Sequence, residues 1–326
     1  MRPAWSVILL TTLIGAGQGL FLALFTVQSY ALVALLPAAA GRGLFVPGSI
    51  VAFALLAAGL VASFFHLGRP ERAWRSAAQW RTSWLSREVI VLPAFMAVLA
   101  LYALLHAAPW SPTLWTTAQG LSVDLALAVG AAGSVLAFAL FVCTGMVYAC
   151  MRFLAEWHSP LTPLNYTLQG GASGFTLAAA IAAQVEPASV PFLAGWAMVL
   201  TALAAAGRIA SLVRNARLVP RSTLQSAIGV KHPQVVQRSM GFTGGAFNLR
   251  EFFHGAQPRT LRALPPAFIA LAFVVPLGLL AAGRSGTAPA TLALAFATQY
   301  AGLLAERWFF FAQARHPQNL YYQATV

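Results

Sequence analysis

One stretch decides the fold class: Val46-Pro-Gly-Ser-Ile-Val-Ala-Phe-Ala-Leu-Leu-Ala-Ala-Gly-Leu-Val-Ala-Ser-Phe-Phe65, which contains no charged side chain. A helix needs about 20 mainly apolar residues to cross the hydrocarbon core of a bilayer, and this run has that length. Similar runs recur along the whole chain, so we predict eight membrane-spanning helices. They cover about residues 7–36, 46–65, 89–107, 121–150, 172–186, 189–212, 264–283 and 288–311.

The fifth predicted span is the shortest of the eight. Gly170, Gly171 and Gly174 at its start suit a tight turn before the helix. A re-entrant segment is the alternative to a full span at this place.

The composition excludes a water-soluble globule. Hydrophobic residues make up 59% of the 326-residue chain and charged residues only 8%, whereas soluble domains contain roughly 25% charged residues. We therefore predict an all-α polytopic membrane protein in which residues 1–326 form a single domain. A connection at about 213–263 is too polar to span and is interrupted by Gly and Pro, so we place it outside the bilayer.

The positive charges lie on one side of the predicted helices. Of the 20 Lys and Arg residues, only Arg42 and Arg284 fall on the opposite side, and the connection from Arg208 to Arg262 holds the largest group. An excess of Lys and Arg marks the cytoplasmic side of a membrane protein. We therefore expect both termini in the cytoplasm of a bacterial cell and the chain in its inner membrane. This orientation explains the formal charge of +13, so nucleic acid is not an expected partner.

His66 and Glu88 are the strongest candidates for chemistry, and Arg87 lies beside Glu88. His66 follows the second predicted span and Glu88 begins the third, so both lie near the cytoplasmic boundary on adjacent helices. A quinone site needs an apolar slot, a hydrogen-bond donor to a carbonyl and a titratable group that exchanges protons. Histidine can do this near neutral pH. The plainer interpretations are that His66 simply ends its helix and that Glu88 interacts with the helix dipole or pairs with a nearby arginine.

Two other features have both a structural and a functional interpretation. Glu306 and Arg307, near the end of the last span, either form a structural ion pair, which we favour, or support the site. The loop between the second and third spans is either an interfacial loop or a docking surface for an acidic cytoplasmic partner. Its arginines are Arg69, Arg72, Arg75, Arg81 and Arg87.

The sequence does not favour a haem or a metal site. Among the six histidines, only His66 lies at the inner end of a span, whereas a membrane haem is usually held by two facing histidines. We therefore expect no haem in this chain. Cys143 and Cys150 are too far apart along one helix for a disulfide and lack the spacing of metal ligands.

Three motifs resemble the membrane anchor subunit of dimethyl sulfoxide reductase-type molybdoenzymes. They are His66-Leu-Gly-Arg-Pro-Glu-Arg-Ala-Trp, Trp84-Leu-Ser-Arg-Glu88 and Glu306-Arg-Trp-Phe-Phe-Phe. The eight-span layout agrees, so the resemblance covers essentially the whole chain. It implies an anchor without a redox centre of its own that binds a quinone, ubiquinone or menaquinone, at His66 and Glu88. It also implies two partners, an iron–sulfur electron-transfer subunit and a molybdopterin catalytic subunit.

The predicted orientation distinguishes branches of this family. In the enteric dimethyl sulfoxide reductases the His-Leu-Gly loop faces the periplasm, whereas the charges here place it in the cytoplasm. The resemblance then implies the arrangement of quinone-linked sulfite dehydrogenases, a branch that the opening Pro3-Ala-Trp-Ser-Val-Ile also resembles.

The leading hypothesis is therefore quinone reduction coupled to cytoplasmic sulfite oxidation. The alternative is a quinol-oxidising anchor of a terminal reductase of the dimethyl sulfoxide reductase type. A secondary transporter is a remote alternative, because the centres of the predicted spans hold few ionisable residues.

Overall fold

The computed structural model describes residues 1–37, 40–108, 111–116, 121–219, 222–239, 249, 251–286 and 288–321. Long helices dominate this part of the chain. The α-helices that we number are, in chain order, α1 (Trp5–Leu32), α2 (Arg42–Phe64), α3 (Trp84–Ala107), α4 (Leu125–Ala149), α5 (Leu161–Val185), α6 (Val190–Ala216), the five-residue α7 (Leu224–Ile228), α8 (Pro258–Gly283) and α9 (Pro289–Ala312).

The prediction of an all-α polytopic membrane protein is confirmed. Six helices, α1 to α4, α6 and α8, are long and apolar enough to cross a membrane. The helices α5 and α9 have 25 and 24 residues but contain more polar side chains, so the count of eight spans stays a prediction. A small hairpin between α3 and α4, β1 (Thr113–Thr116) and β2 (Ser122–Asp124), is a departure from the helical pattern.

The bounds predicted for the fifth span are wrong. Because α5 begins at Leu161, Gly170 and Gly174 lie inside the helix rather than in a turn before it. A Cβ atom at Gly174 would overlap the backbone of Gly19 in α1. Small residues allow two membrane helices to approach closely. The glycines therefore serve the contact between α1 and α5, and their low hydropathy makes the helix look shorter in the sequence than it is.

Met1 and the end of α9 lie at the same end of the bundle. The Met1 backbone nitrogen donates to the Ala314 carbonyl at 2.7 Å, and the Arg2 N–H donates to the Glu251 carbonyl at 2.9 Å. At the end of α6, the Arg214 guanidinium donates to the Ala155 carbonyl in the α4–α5 loop at 3.0 Å. We call this end, which also carries the loop 65–83 between α2 and α3, the arginine-rich end.

The grouping of Arg208 with the loop cations is wrong. Arg208 lies inside α6 and is 2% exposed, and the predicted span 189–212 already contains it. Arg307 is likewise buried within α9. Within the long polar connection, Arg221, Arg250 and the glycine-rich residues 241–245 lie outside the described residues.

Candidate functional site

His66 lies just beyond the end of α2 in an exposed turn. Its backbone N–H donates to the Ser63 carbonyl at 3.3 Å, which continues the helical turn past Phe64. Partial burial lowers the pKa of the His66 imidazole below its ordinary value. The side chain is therefore accessible at the arginine-rich end and able to titrate.

Glu88 lies one turn inside α3 and is buried. The Ser83 hydroxyl caps the helix by accepting from the Ser86 N–H at 3.3 Å, so the helix begins at Trp84 and not at Glu88. The Thr144 hydroxyl of α4 donates to Glu88 Oε1 at 2.6 Å. The carboxylate is thus bound by a neutral hydroxyl from the neighbouring helix, rather than by an arginine.

Arg87 is held by the loop that precedes α3. Its Nε donates to the Trp80 carbonyl at 2.9 Å and its Nη2 to the Arg81 carbonyl at 2.8 Å. The guanidinium also lies over the Trp84 ring, with Cζ 4.3 Å from the ring centroid. These contacts fix the end of the loop and thereby the start of α3.

The structure places His66 and Glu88 at the same end of the packed helices α2 and α3, as the sequence predicts. Among the described residues, no hydrogen bond or ion pair joins the two side chains. Phe65, which precedes His66, is 81% exposed, and Leu85, three residues before Glu88, is 50% exposed. Apolar side chains, a titratable imidazole and a buried carboxylate therefore occur together at this end of α2 and α3.

The loop 65–83 exposes its arginines. It contains a 3₁₀ helix over Pro70–Gln79 that has no buried residue. Arg75 lies over the Trp74 ring at 5.5 Å and Arg81 over the Trp80 ring at 5.4 Å, both distances measured from Cζ to the ring centroid. Arg69 and Arg72 are also exposed, and Arg72 lies 3.9 Å from the Glu71 carboxylate. The loop therefore presents positive charge and aromatic surface together.

A second buried group is formed by Arg208, Glu306 and Arg307, and we call it the Arg208 cluster. Arg208 Nε lies 2.7 Å from Glu306 Oε1, whereas Arg307 Nη2 lies 3.8 Å from Glu306 Oε2. Arg307 Nη2 also donates to Gln169 Oε1 at 3.0 Å, and its Cζ lies 3.7 Å from the centroid of the Tyr166 ring. The geometry favours the ion-pair interpretation of Glu306, with Arg208 as its nearest partner.

Two small cavities border the Arg208 cluster. Each has a volume of about 10 Å³, which is room for about one water molecule. One extends from Arg208 and Glu306 towards Glu156, and the other lies on the far side of Arg307 beside Thr12. Neither cavity is lined by His66 or Glu88.

Sequence reasoning missed Arg208 and Thr144. A signal for Arg208 exists, because an arginine inside an apolar run is costly in a membrane and therefore points to a buried partner. Thr144 carries no comparable signal, since threonines in membrane helices commonly bond to their own backbone.

Comparison with known proteins adds an independent result. Residues 1–311 match the family described as DMSO reductase anchor subunit (DmsC). The chain is also similar to a protein of Allochromatium vinosum that is named as a subunit of sulfite dehydrogenase. The two are 54% identical over 326 residues, which is 100% of each chain.

Proposed function

The chain belongs to the DMSO reductase anchor subunit (DmsC) family, and from that premise we propose that it exchanges electrons with the quinone pool at His66 and Glu88. It is a multi-pass membrane protein and the membrane anchor of an oxidoreductase complex. One observation carries the choice of site. The Glu88 carboxylate, on the helix that follows His66, is buried and accepts from the neutral Thr144 hydroxyl of α4.

The two side chains have complementary roles in this proposal. A bound quinone accepts two electrons and two protons when it is reduced. The exposed His66 imidazole donates a hydrogen bond to a quinone carbonyl, and Glu88 holds and releases a proton behind it. Arg87 positions Glu88 by fixing the start of α3.

The family and the relative support a proposal for the partners and the substrate. An iron–sulfur subunit would pass electrons to this chain from a molybdopterin catalytic subunit. We propose sulfite as the substrate of the complex, because the relative named as part of a sulfite dehydrogenase is similar over the full length of both chains. Ubiquinone and menaquinone are both compatible with the site.

The proposed orientation places the arginine-rich end in the cytoplasm of a bacterial inner membrane. The exposed arginines of the loop 65–83 support it through the positive-inside rule. A green fluorescent protein fused to the C-terminus is expected to fluoresce, and alkaline phosphatase fused there to remain inactive. An active phosphatase would place the complex in the periplasm and remove the argument for cytoplasmic sulfite oxidation.

The same loop is the proposed docking surface for an acidic face of the iron–sulfur subunit. The double substitution R72E/R75E should reduce co-purification of the partner, because reversed charges repel an acidic surface. The control is R284E, a single charge reversal at the opposite end of the bundle. Equal partner recovery from both variants would contradict docking at this loop.

The site itself is tested with H66A and E88Q in the assembled complex. Both substitutions should lower sulfite oxidation linked to quinone on the order of 100-fold, since positioned proton-exchanging groups contribute that much. Sulfite oxidation linked to a soluble dye and partner co-purification should stay unchanged. The controls are H232Q and E251Q, which alter exposed residues outside the site and outside the loop 65–83.

Two outcomes would change the assignment. Quinone turnover that survives both substitutions places the quinone site elsewhere. Quinol-linked reduction of a sulfoxide, without sulfite oxidation, identifies the quinol-oxidising alternative.

A further inference from the structure

The Arg208 cluster and Glu88 lie at the same depth in the bundle. Glu88 lies in the second turn of α3, Tyr148 in the last turn of α4, Tyr166 in the second turn of α5 and Arg307 in the second-to-last turn of α9. All four positions are near the arginine-rich end. A polar layer therefore crosses the bundle there, formed by Glu88, Thr144, Tyr148, Tyr166, Arg307, Glu306, Arg208, Asn165, Ser211 and Glu156.

We propose that this polar layer conducts protons from the aqueous surface at Glu156 to Glu88, by way of the Tyr148 and Tyr166 hydroxyls and of water held at the Arg208 cluster. This inference rests on the proposed function, because it assigns a supply route to the proton that Glu88 releases at the quinone site.

The inner half of the layer consists of hydroxyl groups. The Thr144 hydroxyl contacts the Glu88 carboxylate at 2.6 Å. Tyr148 follows Thr144 by four residues in α4, so both side chains lie on the same face of that helix. The Tyr148 ring stacks on the Tyr166 ring, with centroids 5.6 Å apart and an angle of 20° between the planes. The two tyrosines thus connect the neighbourhood of Glu88 to α5.

The middle of the layer joins Tyr166 to the charges. The Arg307 guanidinium covers the Tyr166 ring, and Glu306 lies between Arg307 and Arg208. With Glu88, the layer contains two acidic and two basic side chains in its interior. Their charges balance when Glu88 has lost its proton, so the proton that replaces it does not enter a region of net positive charge.

The outer half of the layer can hold water. Residues that line the first cavity carry polar atoms without a hydrogen-bond partner among the described residues, among them Arg208 Nη2, Glu306 Oε2 and Asn165 Oδ1. The Tyr166 hydroxyl, which also lines this cavity, shares that property. A water molecule needs a polar site with two to four partners, and the cavity meets that condition.

The first cavity, which is lined by Arg208 and Glu306, extends towards the surface of the protein. Its far wall is formed by Glu156 and Asn215, both half-buried, and the Asn215 amide donates to the Glu156 carbonyl at 3.3 Å. We take Glu156, which lines the cavity and is half-buried, as the group that receives protons from bulk water.

In the proposed transfer, each group releases one proton and receives another. Glu88 passes its proton to the quinone site while the iron–sulfur partner supplies the electrons. It regains a proton through the tyrosine hydroxyls and the water, and the last member takes its proton from solvent. The layer is unchanged after each relay.

The rival route is direct access from the arginine-rich end, since Glu88 is only the fifth residue of α3. Removing a tyrosine hydroxyl separates the two routes. Y148F and Y166F keep the aromatic packing and remove only the relay oxygen. Y102F is the matched control, because the buried Tyr102 hydroxyl donates to Gln28 at 2.8 Å near the opposite end of the bundle.

The first measurement needs no quinone. In the quinone-depleted complex, infrared spectroscopy records how fast the carboxyl band of Glu88, identified by its loss in E88Q, shifts after transfer into D₂O. The shift is expected to be about tenfold or more slower in Y148F and Y166F than in Y102F. Equal rates in the three variants, or no Glu88 carboxyl band at any pH at which the complex is intact, would overturn the proposal.

The second measurement is quinone turnover with and without a small weak acid. The acid is expected to restore turnover in Y166F, because it replaces the missing proton donor, but to leave E88Q inactive. Failure of rescue contradicts the relay. If E88Q retains full quinone turnover while the tyrosine variants slow the deuterium shift, the layer conducts protons and only the proposed quinone site fails.

Discussion

Glu88 and Glu306 are both buried acidic residues near the same end of the bundle, yet their surroundings differ. Glu306 lies between two arginines, at 2.7 Å from Arg208 and 3.8 Å from Arg307. The carboxylate of Glu88 instead accepts from the Thr144 hydroxyl. Glu88 can gain or lose a proton without leaving a buried cation unpaired, whereas Glu306 cannot. The comparison separates a carboxylate suited to exchange from one that holds the structure together.

The largest expected effect is a loss of stability when the ion pair of Glu306 is broken. Both R208M and E306Q should lower the free energy of unfolding by about 3–5 kcal/mol, because each removes one partner of the buried Arg208–Glu306 ion pair. E88Q should lower it by much less, since the amide oxygen still accepts from Thr144. Unfolding of the purified chain in detergent measures the three values. Equal losses would mean that the two carboxylates have the same structural role.

The next effect concerns the hydroxyl that holds Glu88. T144V should lower the free energy of unfolding by about 1–3 kcal/mol, because it leaves the buried Glu88 carboxylate without a donor. T176V is the control, since the buried Thr176 hydroxyl donates to the Ala172 carbonyl of its own helix at 2.9 Å. If T176V lowers the free energy of unfolding as much as T144V does, the hydrogen bond to Glu88 contributes no more to stability than a bond within one helix.

A pH effect is expected at His66. Partial burial lowers the pKa of His66 below about 6.5, so the protonated imidazole is lost at a more acidic pH than usual. If protonated His66 supplies the quinone site, quinone turnover declines as the pH rises through this lowered pKa. The ratio of quinone-linked to dye-linked rates at each pH isolates the effect. The decline should be absent in the residual activity of H66Q, and its persistence there would assign it to another group.

The smallest effect concerns the loop beside the site. R87K keeps the charge but cannot reproduce the forked donation to the Trp80 and Arg81 carbonyls. It should loosen the loop 65–83 by about 1 kcal/mol and speed its cleavage by trypsin in limited proteolysis. R75K serves as the control, because its described contact is the exposed Trp74 ring. Equal cleavage rates would contradict a clamping role for Arg87.

Hydropathy and charge predicted the class of fold, because lipid imposes long apolar helices on any chain that crosses it. They failed at α5, where the sequence contains glycines and polar residues. There the chain is shaped by contact with α1 rather than with lipid, and Gly19 and Gly174 meet across that contact. Lipid exposure can be read from composition, whereas helix-to-helix packing depends on which surfaces meet.

At the candidate site, too, the sequence predicted the positions along the helices but not the contacts between helices. The spacing of His66 and Glu88 around one loop predicted that both lie at the same end of adjacent helices. Thr144 and Arg208 became visible only in the structure, because their partners are 56 and 98 residues away in the chain. Pairings over such distances leave no periodic signal in a single sequence.

Quinone is proposed to bind beside His66 and Glu88, although the two described cavities lie at the Arg208 cluster. Photo-crosslinking with an azido-quinone in the assembled complex, followed by peptide mapping, tests this placement most directly. Label is expected at the end of α2 and the start of α3, competed by excess quinone and lost in H66A. Label on α5, α6 or α9 around Arg208 would contradict the placement.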